Sequence, residues 1–425
     1  MRRRHAARAV HSVMKILFVP GPKDLVAHYL PLLALNRMLG GTSFETAFLV
    51  PRSNHGTMRQ FGVNVLDIDH IGFRTEVLAY KKFKPDVVVD DTSVTTGYAT
   101  TFTRTPRVTI QRTGIFPGSA PRNPNHLNSG GRLESYIERL SDVTFLGLPQ
   151  PQSFSDLFTA DAKIVPGVPS VELLPPTLAS DPSYFFSGPL IMDDFLVSHF
   201  GGSHAAGVGL DAARNFAPLE SFFERHSDRK RVYVTFGTLA RASRRLLDCL
   251  HYLLDSGIAV VSSIKVEGLT AAQQQLYYHA HYLPMHFVCS RVDLAVHHCG
   301  CGTYHYPLLH GVPSVTIGTQ CYDRDDVGAR LAELGVSVHV AAPAENERFE
   351  EEFRGAVERY FGEAGFMAER RRAVARLKEE IAQTTANFDF TKLLRRVAAN
   401  KEAATRARKP LSREGRADVR VHGVL

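Results

Sequence analysis

The chain has 425 residues, 44% of them hydrophobic and 22% charged, with a net charge of +7 and a pI near 9.1. That balance fits two globular α/β-sized domains with ample core, and no apolar run reaches the roughly 18 to 20 residues of a membrane span, so no integral membrane segment is expected. Much of the positive excess lies at the two ends, in Arg2, Arg3, Arg4 and Arg8 and in Lys401, Arg406, Arg408, Lys409, Arg413, Arg416 and Arg420. Basic runs at chain ends are ordinarily solvated, so the charge does not point to a nucleic-acid partner.

Cys249, Cys289, Cys299, Cys301 and Cys321 are odd in number and lack CxxC spacing, and no secretory apolar segment opens the chain. A reducing, cytoplasmic setting is the expectation. Residues 1–13 read as a disordered extension, after which Ile16 to Val19 form a strand. The turn Gly21-Pro22-Lys23-Asp24 lacks the GxGxxG of a dinucleotide site, which counts against hydride transfer. Ala27 to Leu35 open a helix ended by Gly40-Gly41, so His28 is expected at a strand-to-helix loop on the sheet edge, and Phe44 to Val50 give the next strand.

Asp86 to Val89 make a further buried strand that ends in Asp90 and Asp91 on the edge expected to hold His28. One of these carboxylates could orient the imidazole, or both could cap the strand end. Thr101 to Gly131, with Arg104, Arg107, Arg112 and Arg122, has the Pro/Gly/Asn content of a long functional loop. Residues 14–195 are therefore read as one Rossmann-like domain and 196–228 as an interdomain linker. Val232 to Phe236, followed by Gly237 and Thr238, open a second Rossmann-like domain over 229–384. Residues 385–400 read as an amphipathic helix and 401–425 as a disordered basic tail.

The most informative stretch is Val292 to Val296 followed by His297-His298-Cys299-Gly300-Cys301-Gly302-Thr303. A strand, a glycine-rich turn and a helix N-terminus in that order make an anion site, because the first helical N–H groups lack internal partners and glycine admits a phosphate to the backbone. Thr303 adds a hydroxyl and His298 an imidazole, while Pro307 predicts an irregular helix start. Four ligand-type side chains within five residues cannot surround one ion, so zinc is not expected, and CxC spacing disfavours a redox pair. Ser314 to Ile317 form the next strand, with Asp323 and Arg324 on the loop at its C-terminal end, where open α/β sheets bind ligands.

VDLAVHHCGCGTYHYPLLHGVPSV, Asp323-Arg324 and ARLAELGV, with Leu283-Pro284-Met285 and Arg291 before them, resemble the donor signature of inverting, nucleotide-sugar-dependent glycosyltransferases of the macrolide and natural-product type. The resemblance implies the GT-B fold, two Rossmann-like domains facing across a cleft, with the C-terminal helix crossing back to brace the first. It implies His28 as general base, in a segment similar to GHxxP with Ala27 for the usual Gly, and Asp91 rather than Asp90 as its acid. A sugar hydroxyl or phenol is a poor nucleophile at neutral pH, and an imidazole with an ordinary pKa near 6.5 can take its proton as the bond forms.

By the same resemblance Gly237, Thr238, Pro284, Met285, His298, Gly300, Gly302, Thr303, Asp323 and Arg324 bind the donor, a UDP- or dTDP-sugar. That nucleotide sugar is a co-substrate, and neither cofactor nor metal is implied. The partners implied are a small-molecule acceptor and the nucleotide sugar, with the protein a monomer or homodimer. Two departures stand out: Met285 where the family usually has Gln, and Arg324 where it has the Gln of an Asp-Gln pair. Arg324 is expected either to bind an anionic part of the donor or to pair with Asp325 or Asp326. A sugar-nucleotide epimerase, a lipid-linked sugar transferase and a non-enzymatic helper of a partner glycosyltransferase are the alternatives on this architecture.

Overall fold

The computed structural model describes residues 13–21, 26–40, 43–117, 151, 154–192, 216–236, 243–280 and 283–407. The expected extension before residue 13, most of the loop to Gly131, Gly237 and Thr238, and the tail from Arg408 onward lie outside the described residues.

In the N-terminal half the strands are β1 (Met14–Pro20), β2 (Phe44–Pro51), β3 (Val65–Ile68), β4 (Val87–Asp91), β5 (Arg107–Ile110), β6 (Ala162–Val165) and β7 (Tyr184–Phe186). The helices are α1 (Val26–Met38), α2 (His55–Gln60), α3 (Phe73–Phe83) and α4 (Val94–Thr103). The strands form one sheet in the order β3-β2-β1-β4-β5-β6-β7, with every pair parallel. Near-continuous apolar strands such as Ile16 to Val19 and Val87 to Val89 suit a parallel sheet covered on both faces. Ile16, Phe18, Phe48 and Val89 pack on one side with Leu32 and Leu35 of α1, and Leu17, Val19, Leu49 and Val88 on the other with Val77 and Tyr80 of α3.

The C-terminal half holds β8 (Arg231–Thr235), β9 (Ala259–Ser262), β10 (Tyr277–His279), β11 (Leu294–His297), β12 (Ser314–Ile317) and β13 (Ser337–Val340). They form a parallel sheet in the order β10-β9-β8-β11-β12-β13. Its helices are α5 (Phe216–Arg225), α6 (Arg244–Asp255), α7 (Ala271–Gln275), α8 (Met285–Cys289), α9 (His305–Leu309), α10 (Tyr322–Glu333), α11 (Phe349–Gly362), α12 (Ala364–Asn387) and α13 (Phe390–Ala407).

Two elements differ from the sequence reading. The last part of the stretch read as linker is α5, whose Leu219, Phe222 and Phe223 pack on Tyr233, Ala259 and Ala295 of the second sheet. The final helix continues to Ala407, past the expected end at 400. Its Phe390, Leu393, Leu394 and Val397 are buried against the first sheet's core, so the chain's last described element braces the domain it started from.

Each sheet reverses strand order once beside its first strand, between β1 and β4 and between β8 and β11. Open α/β sheets bind ligands at the C-terminal strand ends at such switch points. The halves also touch directly: Val168 and Val171, after β6, share a buried cluster with Tyr304, Leu308, Leu331 and Val374. Arg330 donates to the Ser170 carbonyl at 2.7 Å, and the Ser170 amide to Glu380 at 3.1 Å.

Candidate active site

The first half-site forms where β4 ends against β1, with Asp91 beside Pro20 and Asp90 beside Val19. Neighbouring residues on a strand face opposite ways, and the two acids take separate partners. Asp90 is fully buried and receives Arg107 at 2.7 and 3.0 Å, the Thr109 hydroxyl at 3.2 Å and the Ser93 amide at 3.1 Å. Asp91, equally buried, lies 3.4 Å from His28 Nδ1 and is gripped by both Arg112 terminal nitrogens at 2.5 and 2.6 Å. Burial alone would push Asp91 up, but the Arg112 guanidinium and His28 overcome it and hold the carboxyl at about 2.

His28 lies in the first turn of α1 rather than in the loop before it, and its side chain is about one quarter exposed (23%), which leaves an edge open to an acceptor. The close approach of strand end and ring requires glycine at position 21, where a Cβ would sit 3.0 Å from the Asp91 carbonyl and 3.6 Å from the imidazole. Nδ1 also faces the Thr92 hydroxyl at 3.1 Å, and that hydroxyl donates to the Asp91 carbonyl at 2.8 Å. With Nδ1–H turned to Asp91 and Thr92, the Nε2 lone pair is free to take a proton. Thr92 holds φ at 54°, a left-handed conformation unusual for a β-branched residue and a local strain of the kind that clusters at functional sites.

Arg112 and Thr92 are the residues that sequence reasoning missed as members of this site. The available signal was position: Arg112 follows β5 by two residues, on the edge where β4 ends in its acids.

The second half-site follows β11. His297 and His298 diverge. His297 is buried with Nε2 3.0 Å from the Ser314 hydroxyl, and its Nδ1 accepts the Cys299 amide at 3.2 Å. His298 is 2% exposed and turns its Nε2 toward Gly300, where a Cβ would meet that nitrogen at 2.6 Å and Thr303 Oγ1 at 3.4 Å. Gly300 therefore leaves a space bounded by the imidazole and the hydroxyl that any other residue would fill. Cys299, left-handed at φ 56°, packs with Tyr304 and Leu331, while Cys301 donates to the Pro166 carbonyl at 3.7 Å and also reaches Arg112.

The anion site is not a helix N-terminus of the expected kind. α9 begins only at His305 and lasts five residues, with Pro307 inside it. The amides of Thr303 and Tyr304 both donate to the Gly300 carbonyl, at 2.7 and 3.1 Å, so they are already engaged. What the turn offers is the space over Gly300, the Thr303 hydroxyl and the His298 ring. Burial above all, helped by the charge of Arg324 and by His297, holds His298 down at about 3, so the ring donates as a neutral imidazole.

Pro284 precedes α8, and Met285 lies partly buried against the second domain's core. Asp323 and Arg324 stand in the first turn of α10, after β12 on the same sheet edge as the Gly300 turn. The two half-sites are tied together. Glu172, buried beyond β6, accepts from the Thr113 amide at 2.9 Å and the Tyr304 hydroxyl at 3.0 Å, joining the loop that carries Arg112 to the Gly300 turn.

No protein-family model matches the chain. A segment of 182 residues, 41% of the chain, is 29% identical to aklavinone 7-beta-L-rhodosaminyltransferase of Streptomyces galilaeus, and the match spans 39% of that protein. Among solved structures the chain is similar to the spinosyn forosaminyltransferase SpnP, with a TM-score of 0.62 and 16% identity over 91% of this chain and 100% of that one. It is likewise similar to UGT71G1 of Medicago truncatula, solved with UDP-glucose (TM-score 0.66, 14% identity, 92% and 99% covered). The glycosyltransferase VinC, solved with dTDP, gives a TM-score of 0.61 at 15% identity, with 91% and 100% covered. Two parallel, doubly wound sheets, together with these likenesses over nearly the whole chain, show that the protein has the GT-B fold, with two Rossmann-like domains.

Proposed function

We propose that the protein is an inverting glycosyltransferase that moves a sugar from a UDP- or dTDP-sugar to a hydroxyl of a small natural-product acceptor. The observation that carries this reading is the pairing of an acid-backed imidazole at one switch point with a glycine-walled, hydroxyl- and imidazole-lined space at the other. The likeness to proteins solved with UDP-glucose and dTDP supports the donor class, and the curated relative supports the acceptor class.

In this reading His28 Nε2 takes the acceptor hydroxyl proton while its oxygen attacks the anomeric carbon from the face opposite the diphosphate. The bond from that carbon to the diphosphate oxygen breaks, and the nucleoside diphosphate leaves with the electron pair. Asp91 stabilises the imidazolium that forms, and Arg112 fixes the plane of the Asp91 carboxylate. His298, Thr303 and the open space at Gly300 receive the diphosphate, with Gly302 in the same turn, so charge developing on the leaving group meets oriented donors. Pro284 and Met285 would border the nucleobase and Asp323 would accept from sugar hydroxyls, while Gly237 and Thr238, outside the described residues, are assigned to the donor by the resemblance alone.

The test incubates the purified protein with UDP- and dTDP-sugars and a panel of polyketide and phenolic acceptors, reading products by mass and anomeric configuration by NMR. Products of inverted configuration that disappear with His28→Ala are expected. Retained configuration, or turnover that survives the substitution, would overturn the assignment.

A further inference from the structure

We propose that Arg324 is the side chain that binds the donor's diphosphate as its counter-charge, instead of reading the sugar. The inference rests on the glycosyltransferase reading and deepens it.

A nucleoside diphosphate brings at least two negative charges into the space over Gly300, and its leaving oxygen gains more as the bond to the sugar breaks. The groups lining that space are neutral. His298 is buried and held unprotonated, so it donates without charge. Thr303 offers a hydroxyl. The Thr303 and Tyr304 amides are spent on the Gly300 carbonyl, and α9, at five residues, is too short to build much of a dipole. Oriented neutral donors alone would leave a dianion poorly matched.

Arg324 supplies what is missing, and its neighbours leave it free to do so. Three acids follow or precede it in the first turn of α10, but the pairing with Asp325 or Asp326 that the sequence allowed is not formed. Asp325 accepts the Thr319 and Gln320 amides at 2.8 and 2.9 Å, capping the loop before the helix. Asp323 accepts the Cys321 thiol at 3.2 Å. Among the described residues the Arg324 side chain makes no ion pair and no hydrogen bond, and it is partly exposed in the first turn of α10.

α10 follows β12, the strand paired with β11, so Arg324 stands on the same sheet edge as the Gly300 turn, and its charge bears on His298 and Cys299, the latter together with Asp325 and Asp323. The chemistry agrees. A guanidinium has five donors in a fork that matches phosphate oxygens and no acceptor, so it cannot reproduce the donor-and-acceptor pattern with which an amide reads two sugar hydroxyls. Asp323 keeps the acceptor role toward the sugar.

The experiment is calorimetric and needs no acceptor. The better-bound of UDP and dTDP is titrated into the wild-type protein, Arg324→Gln and Arg324→Lys, alongside the matching nucleoside and a UDP-uronic acid, at two salt concentrations. The expected result is a loss of roughly tenfold or more in diphosphate affinity for Arg324→Gln, a smaller loss for Arg324→Lys, a weaker salt dependence, and unchanged nucleoside binding. Diphosphate affinity within about twofold of wild type in both variants would overturn the proposal. A loss confined to the UDP-uronic acid would overturn it in favour of a sugar carboxylate. A wild-type protein that binds no nucleoside diphosphate would instead sink the donor site itself, and this inference with it.

Discussion

At the end of β4 every charge has its opposite within hydrogen-bond distance, whereas at the end of β11 the ionisable groups are kept neutral by burial. Asp90 with Arg107, and Asp91 with Arg112, form two fully buried pairs on opposite sides of one strand end. His297, His298 and His305 are each 1–2% exposed, and burial pushes their protonated forms down to about 3, 3 and 4. The difference suits the role proposed for each half. A base must be aimed, and a paired carboxylate held by a forked guanidinium is a stiff backing for an imidazole. A site for a charged, departing ligand needs its compensating charge to be absent or loosely held until the ligand arrives, because a group already paired has little left to give.

The largest expected effect separates the halves by function. His28→Ala should lower transfer by about 10²- to 10⁴-fold while nucleoside diphosphate affinity stays at the wild-type level, since the proposed role of the ring is to take the acceptor's proton. Steady-state rates with parallel calorimetry check this. If nucleotide affinity falls with the rate, the imidazole serves both halves and the division between them fails.

A second contrast lies within the charged half. Asp90→Asn and Asp91→Asn each leave a buried arginine without its carboxylate, and each should cost on the order of 3–5 kcal/mol of stability. Only Asp91 neighbours His28. At a temperature where both variants stay folded, Asp91→Asn should lower kcat by about tenfold or more and Asp90→Asn by less than about threefold. Denaturant melts and initial rates on the same preparations decide it, and the reverse order in rate would move the acid's role to Asp90.

How much of this could be read from the chain alone depended on whether a feature is local. The strand β11, its glycine turn and the acids ending β4 are continuous runs, so their order and their edge of the sheet were legible. The general-base role proposed for His28 came from a resemblance, since one histidine in a proline-interrupted segment carries no local signature. Arg112 was visible only as one arginine among several, because its importance comes from a partner 21 residues away on a neighbouring strand. The irregular helix start was legible from Pro307, but not that α9 would begin only at His305, past the turn. Gly300 turns its own carbonyl back on Thr303 and Tyr304, a backbone preference that apolar spacing does not report. Likewise α5 hides in a glycine-rich stretch whose apolar residues pack on a distant sheet.

The smallest effect tests the neutral half through acid. His297 uses both ring nitrogens in one tautomer: Nδ1 accepts the Cys299 amide at 3.2 Å, leaving Nε2–H to donate to the Ser314 hydroxyl at 3.0 Å. Protonation would turn the accepting nitrogen into a donor facing a donor, inside the core, beside a residue already held at φ 56°. The folded-state value of about 3 is depressed from the ordinary 6.5. The stability this neutrality confers is therefore complete above about pH 6.5 and is lost progressively as pH falls toward 3. At pH 5 the loss should be about 2 kcal/mol from His297, at 1.36 kcal/mol per pH unit. The Asp91 pair behaves differently: its carboxyl is depressed from 3.8 to about 2, so its contribution holds down to about pH 4 and fades only below that. Mild acid should thus loosen the second sheet before the first. His297→Asn keeps an oxygen acceptor for the Cys299 amide but cannot titrate, so melting curves of the variant and the wild-type protein should converge between pH 7 and pH 5. Curves that stay parallel over that range would show that His297 takes up its proton without opening the core, and that burial alone does not govern the donor half.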